Sequence, residues 1–527
     1  MRIFLLLACV FCICSIPASA QLEANNWYWG PGRAVQFLPA LREVIADSFH
    51  YGGESAISIS NRNTGNIFFY SHFSTSLSIN QLNILNNNYD QINSQTLRGD
   101  GSTSQGQLCI PDPSHCYRYY IFSLDARGFG MPYTTKTRLS YSILDMSDGI
   151  GQIISRDNLV IEDYLTEGMT GTIHSNGHDF WVVVYRYNQP AFISIPVNKL
   201  GVNNLNIVTS LANDLTPSSF IGHYYNMLKI SPDSKKMLDI WQKFTLRDFN
   251  NTTGEITNST TIGDITLAFS FSPDNSKIYC IRGGEVGSAL NSGRLYQISL
   301  LDPTLTAIPI DTSINIWYRF SGSLQNAPDG KIYFISSPKN GNSPIWNLSC
   351  IEEPNKKGDS CKLLIQKLRL KDYIKGKEYA ETQFPNYMDY IFNTDGALGA
   401  EQLAARCSPP KALVLPDSGC IGSTLVFTDL SKYATRRAWK FENGLPGTSS
   451  DSIVSVTYSK AGTYKVILTV ENDNGSASDT TYAIVYPNPT ANAGTDKTIC
   501  PNSSAQLGDK PEVGNTYSWL PTADLDN

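Results

Sequence analysis

The sequence predicts an all-β chain whose N-terminal part is a β-propeller of about seven blades. Three observations predict it. Charged residues are only 17% of the 527, while Gly (39), Pro (27), Asn (41), Tyr (28) and Phe (22) are plentiful. Turn formers with aromatics favour many short strands over long helices. Second, a polar turn followed by a dense aromatic and β-branched run recurs six times between residues 60 and 340. Third, five intervals from Gly65 to Asp329 cover 264 residues, about 53 each. A period near 50 with one hairpin per unit fits one four-stranded blade per repeat. The competing arrangement is a sandwich of unrelated hairpins, which rarely exceeds about 250 residues as one domain.

Residues 1–20 read as a secretory signal. Arg2 is a minimal positive n-region, Ile3 to Ile16 is apolar, and Ala18-Ser19-Ala20 is a small-x-small cleavage site. The run is too short for a membrane anchor, which needs about 20 apolar residues. Cleavage leaves 507 residues and no transmembrane segment in the mature chain. Export is therefore expected, to the extracellular space or an outer-membrane surface.

Each repeat has a stated beginning. The copies are NTGNIFFYS from Asn63, SHCYRYYIFS from Ser114, NGHDFWVVVY from Asn176, SPDSKKMLDIW from Ser231, SPDNSKIYCI from Ser272 and APDGKIYFIS from Ala327. Pro presets the first turn position, Asp or Asn closes the turn through its side chain, and the strand leaves toward the core. Asn80 to Gln107, with Asn86-Asn87-Asn88, reads as a long loop of the kind that carries recognition. Lys362 to Phe392 (LLIQKLRL, then FPNYMDYIF) is strand-like and is expected to pair with Trp27 to Leu38, closing a seventh blade.

Asn25-Asn26-Trp27-Tyr28-Trp29-Gly30 resembles the NNWYFG opening of large exported proteins of Bacteroidetes bacteria. GNIFFY, YRYYIFS, Ser142 to Asp148 (SILDMSD) with Gly149-Ile150-Gly151, HSNGHDFWVVVY and FPNY follow in that family's order. Trp29 stands where the family has Phe, and Gly32-Arg33-Ala34 where it has Ala-Gly. The resemblance covers most of residues 25–395. It implies a propeller at 21–394 followed by sandwich repeats, in surface proteins associated with adhesion and gliding motility. Such proteins typically leave by a dedicated (type IX) secretion route that reads a C-terminal sorting domain.

Residues 395–410 read as a linker, with one or two helical turns in its Ala-rich part. Residues 411–487 resemble a PKD domain, an immunoglobulin-like β-sandwich. The resemblance rests on Trp439-Lys440-Phe441-Glu442-Asn443-Gly444, on Tyr458, and on Ala461 to Val466 followed by Leu468 and Val470. Trp439 and Phe441 alternate to one face of a strand, and Tyr464, Val466, Leu468 and Val470 to one face of the next. Lys440, Glu442 and Asn443 depart from the WDFGDG pattern at its turn. A second such repeat is expected to open at 488–527, through Thr495 to Cys500 and Tyr517 to Trp519. In the family, the cysteine at the position of Cys500 commonly pairs with one later in the same repeat.

Eight of 11 cysteines survive signal removal. In an oxidising compartment, neighbours are disulfide candidates. Proximity suggests Cys109 with Cys116, Cys350 with Cys361, and Cys407 with Cys420. Cys280, inside the apolar KIYCI, reads as a buried free thiol.

No catalytic, cofactor-binding or metal-ligating residue is expected. The net charge of −6 argues against nucleic acid as a partner. His174 and His178 flank Asn176-Gly177, a hairpin turn that does not converge two imidazoles on a metal. No G-x-S-x-G, H-E-x-x-H, phosphate-binding glycine loop or calcium loop is present. Glu352-Glu353, and Asp47 with Glu43, have no apolar setting and read as solvated surface. The expected function is non-enzymatic binding of a protein or glycan at the cell surface, with the propeller as platform and the sandwiches as spacers. A propeller enzyme degrading polysaccharide is the alternative.

Overall fold

The structure is a computed structural model. It describes residues 21–29, 33–45, 55–73, 82–125, 136–216, 226–283, 292–310, 316–317, 324–336, 347–369, 384–393, 407–520, 522 and 525, apart from 63, 93–95, 102, 265, 267, 473 and 512–515. The signal segment, Asp47 and residues 395–406 of the expected linker lie outside these. The regular elements among the described residues are β-strands and three single 3-10 turns. No helix among them is long and apolar enough to cross a membrane. The chain divides into two units, residues 1–406 and 407–527.

Among the described residues, the first unit holds seven antiparallel sheets, each built from consecutive strands, spanning 26–45, 58–86, 107–163, 165–211, 228–263, 268–317 and 325–369. All six sequence repeats fall on the hairpin that joins the first two strands of sheets two to seven. A residue with positive φ lies in every one of these turns: Gly65, Tyr117, Gly177, Ser234, Asn275 and Gly330. The SPD turns close through their own side chains. Ser231 Oγ donates to Asp233 Oδ1, and Ser272 Oγ to Asp274 Oδ1, both at 2.6 Å.

The strands after the turns are apolar on both faces because each sheet lies between two cores. In Phe180–Arg186, Val182 and Val184 join one cluster, while Trp181, Val183 and Tyr185 join another shared with the fifth sheet. Sheets five and six share a core through Leu238, Phe244, Phe269 and Ile278. Sheets six and seven share one through Tyr279, Ile281, Ile332 and Phe334. The seventh sheet packs on the first, with the Tyr333 ring 5.1 Å from Phe37 and 6.2 Å from Trp27.

Two expectations fail here. Leu363–Arg369 is a strand, but it completes the seventh sheet beside Asn347–Ile351, not the first. Phe384 to Phe392 is not a strand and does not pair with Trp27 to Leu38. Pro385 brings no N–H, and the polar side chains spend their hydrogen bonds outward. Tyr387 Oη donates to Asn26 O (3.3 Å) and Ser58 O (2.6 Å). Asn386 Nδ2 donates to Gln107 O and Met169 O, both 3.0 Å. Asp389 faces Lys229 at 3.6 Å and accepts from Gln325 and Asn326. Asn393 Oδ1 accepts from Asn275. These ten residues thereby touch all seven sheets. Asn80 to Gln107 is also not simply a loop. Leu82–Asn86 is the third strand of the second sheet, with Leu82, Ile84 and Leu85 buried alongside Asn83 and Asn86.

The second unit is a β-sandwich. One sheet runs Asp417–Cys420, Gly475–Tyr486, Gly462–Asn472, Arg436–Phe441, Thr448–Ser449, and the other pairs Thr424–Thr428 with Ile453–Thr457. Trp439 and Phe441 stack at 5.5 Å in its core, over Val466, Leu468 and Val470. Tyr464 stacks on Tyr458 at 4.7 Å. Beyond Tyr486 the described residues form no strand, against the expected opening of a second repeat. They are exposed almost throughout, the apolar side chains Ile499, Leu507 and Tyr517 among them.

Candidate ligand-binding site

A cavity of about 350 Å³ opens beside the third sheet. Its walls are Thr96, Leu97 and Arg98 from the segment before that sheet, and Arg138, Ser140, Asp157 and Leu159 from the sheet's last two strands. Those strands, Thr137–Asp145 and Gln152–Asp163, lose register on both sides of Asp157. The break re-aims side chains, and it holds Asp157 at φ +48°, a backbone state costly for most residues.

The polar groups are pinned by one another. Arg98 forks onto Asp125, Nε to Oδ1 at 2.8 Å and Nη2 to Oδ2 at 2.7 Å. The Asp125 hydrogen bond raises the Arg98 pKa further above its ordinary value. Asp157 Oδ1 accepts from the Arg98 backbone N–H at 2.8 Å, and the Asp157 N–H donates to Ser142 Oγ at 3.0 Å. Arg138 Nε donates to Glu162 at 3.0 Å. Arg156 donates to the Thr96 carbonyl. Three guanidiniums thus stand among three carboxylates. Leu97 is buried and Leu159 is 48% exposed.

Sequence reasoning placed recognition in residues 80–107, which includes Thr96 to Arg98, but singled out none of Arg98, Arg138 or Asp157. The available signal was Arg156-Asp157-Asn158, a polar triplet between the apolar runs Ile153-Ile154 and Leu159-Val160-Ile161.

None of the three cysteine pairs expected from proximity forms. Cys109, Cys350, Cys361 and Cys420 are free, whereas Cys116 and Cys407 are each disulfide-bonded. Asp112 N–H to Arg118 O closes the hairpin, leaving Cys116 in the turn beyond. Cys109 sits three residues back along its strand, about 10 Å away. A disulfide spans about 4.4–6.8 Å between Cα atoms. Cys350 and Cys361 enter different cores, Cys350 with Tyr333 and Cys361 with Phe334, on opposite faces of the seventh sheet. Beside Cys407, Ser408 O accepts from Asn472 at one end of Gly475–Tyr486, while Cys420 pairs with Tyr486 at the other. Eleven residues of strand separate the ends by about 36 Å. Cys280 is buried and free.

The other residues weighed in the sequence lie apart from the cavity. His174 is in the hairpin turn, Nε2 on Thr252 O at 3.0 Å. Glu352 meets Lys367 and Lys331, and Glu353 meets Lys362. A carboxylate that the sequence did not single out, Asp239, is fully buried 2.6 Å from Arg247 Nε; desolvation pushes its pKa up to about 6 against the pull of Arg247.

Residues 414–485 match the family model of the PKD domain. The second unit's sandwich is a PKD domain. Its departures from the WDFGDG pattern are absorbed at the turn. Asn443 takes positive φ, and Glu442 accepts the Lys465 backbone N–H at 3.0 Å. The PKD domain keeps the core position Trp439, whose Nε1 donates to Asp451 O at 2.9 Å. No curated protein matches the chain. Among solved structures, similarity is found to the hydrazine synthase of Kuenenia stuttgartiensis, at 11% identity and TM-score 0.32, over 51% of this chain and 74% of that one. A functionally unknown protein from Desulfotomaculum acetoxidans DSM 771 is similar at 10% identity and TM-score 0.37, over 64% of this chain and 93% of that one. Likeness at this level bears on neither fold nor function.

Proposed function

We propose that the chain is an exported, non-enzymatic binding protein of adhesion type. Its first unit acts as a closed seven-bladed propeller presenting a recognition surface, and its PKD domain as a spacer. The PKD match at 414–485 carries the reading, because this module fits extracellular adhesion-type proteins. The propeller reading draws support from seven consecutive meander sheets, from the packing of the seventh on the first, and from the shared contact with residues 384–393. The secretory pattern of residues 1–20 and the resemblance of the Asn25 to Gly30 opening to exported Bacteroidetes proteins support delivery to the cell surface. Guanidiniums locked onto carboxylates suit holding a ligand better than moving a proton.

Fractionation of the native host with an antibody to the PKD domain tests the location; the surface or medium is expected. Incubation of the full chain with polysaccharides tests the chemistry. Release of reducing ends would overturn the non-enzymatic reading in favour of a polysaccharide-degrading enzyme.

A further inference from the structure

We infer that the cavity beside the third sheet binds a neutral sugar residue through two adjacent hydroxyls. The inference deepens the binding reading above and rests on it. Four observations carry it.

First, the charges around the cavity balance. Arg98 is neutralised by Asp125 and Arg138 by Glu162, while Asp157 faces Arg98 and has Arg156 beside it in sequence. An ionic ligand would lose hydration there without a net opposite charge to replace it. Second, hydrogen-bonding capacity is left over. Arg98 uses Nε and Nη2, Arg138 uses Nε, and Asp157 uses Oδ1. Nη1 of Arg98, both Nη groups of Arg138 and Oδ2 of Asp157 take no protein hydrogen bond among the described residues. The rim therefore offers guanidinium donors beside one carboxylate acceptor. A hydroxyl both donates and accepts. Two neighbouring hydroxyls can give one proton to Asp157 Oδ2 and take N–H bonds from Arg98 and Arg138.

Third, Leu97 and the half-exposed Leu159 line the same cavity. They form an apolar strip next to the polar rim, which suits the C–H face of a sugar ring. The volume of about 350 Å³ is at the small end for ligand pockets. Fourth, the site is preorganised. The arginines that would hold the ligand are already fixed by partners, and Asp157 is held at positive φ by a broken register. Little ordering remains to be done on binding.

The test is calorimetric titration of the full chain with methyl hexopyranosides of gluco, galacto and manno configuration. Their monodeoxy analogues, glucuronate and glucosamine are run alongside. One neutral hexoside is expected to bind, with roughly tenfold loss on removing either hydroxyl of one adjacent pair, and no gain for the charged sugars. Asp157→Asn keeps a residue that tolerates positive φ and is expected to weaken binding about tenfold. Arg138→Gln, a half-exposed position that leaves the core untouched, is expected to do the same. Tighter binding of glucuronate or glucosamine, or no binding of any hexoside, overturns the inference. Hexoside binding unchanged in both variants also overturns it, while leaving the binding reading intact. Intracellular location or reducing-end release would overturn that reading without altering what the two variants report about the cavity.

Discussion

Removing one partner of the buried Lys229–Asp389 pair should loosen the whole first unit. Lys229 Nζ lies 3.6 Å from Asp389 Oδ2 and donates to Leu324 O and Gln325 Oε1, both at 3.0 Å. Asp389 also accepts from Gln325 Nε2 at 3.0 Å and from Asn326 Nδ2 at 3.4 Å. Both side chains are buried, at 7% and 0% exposure, so burial lowers the Lys229 pKa and raises that of Asp389. Breaking a buried pair by removing one charge costs about 3–5 kcal/mol, because the other is left uncompensated. Asp389→Leu should fall at the lower end, since Lys229 keeps two carbonyl acceptors. Lys229→Met should leave Asp389 with two amide donors and a similar loss. The double variant should lose less than the sum of the singles by about 2 kcal/mol or more. Hydrogen exchange read by mass spectrometry gives the opening free energy of the first strands of all seven sheets, with PKD-domain peptides as an internal control. Losses that add, or that appear only at residues 228–230 and 384–393, would refute the idea that this pair fastens the unit.

Trp439→Ala empties the centre of the PKD domain and should cost it about 3–5 kcal/mol, read as a lowered urea midpoint for its peptides alone. Asp239 has a folded-state pKa of about 6, above its unfolded value, so the folded form holds an extra proton between about pH 4 and 6. Its contribution should be present at low pH and lost as pH rises through 6, with a slope of at most about 1.4 kcal/mol per pH unit. Urea unfolding of wild type and Asp239→Asn across that range should show the slope only in wild type; equal slopes would contradict it. Native alkylation should label exposed Cys420 and Cys500 quickly and spare Cys109, Cys280, Cys350 and Cys361, whose burial raises their thiol pKa values. Peptide mapping reads this directly.

The six hairpins were legible in the sequence because each depends on local chemistry: a turn that needs positive φ, then a run of apolar residues. The PKD core was legible for the same reason, through the alternation of Trp439 with Phe441 and of Val466 with Leu468. Phe384 to Phe392 reads as a strand in sequence because nothing local marks its actual role. Asn386, Tyr387 and Asp389 act on backbone and side chains far away in sequence, and only assembled sheets bring those within reach. The cysteine pairs failed for a related reason, since proximity in sequence says nothing about which core a thiol enters or how far along a strand it lies from its neighbour. Arg98 and Asp157 meet across 59 residues, at a register break that periodicity does not reveal.

Residues 384–393 are made after every sheet they touch. Their hydrogen bond to Asn26 spans 361 residues and that to Gln107 spans 279. At about 5–20 residues per second of synthesis, roughly 20–70 s separate the first sheet's emergence from that of its fastener. Until then, the carbonyls of Asn26, Ser58, Gln107 and Met169 and the Lys229 ammonium lack these partners. These ten late-made residues thus act as a timer on the unit's completion. A nascent chain interrupted before Phe384 would hold all its sheets and still lack the piece that joins them.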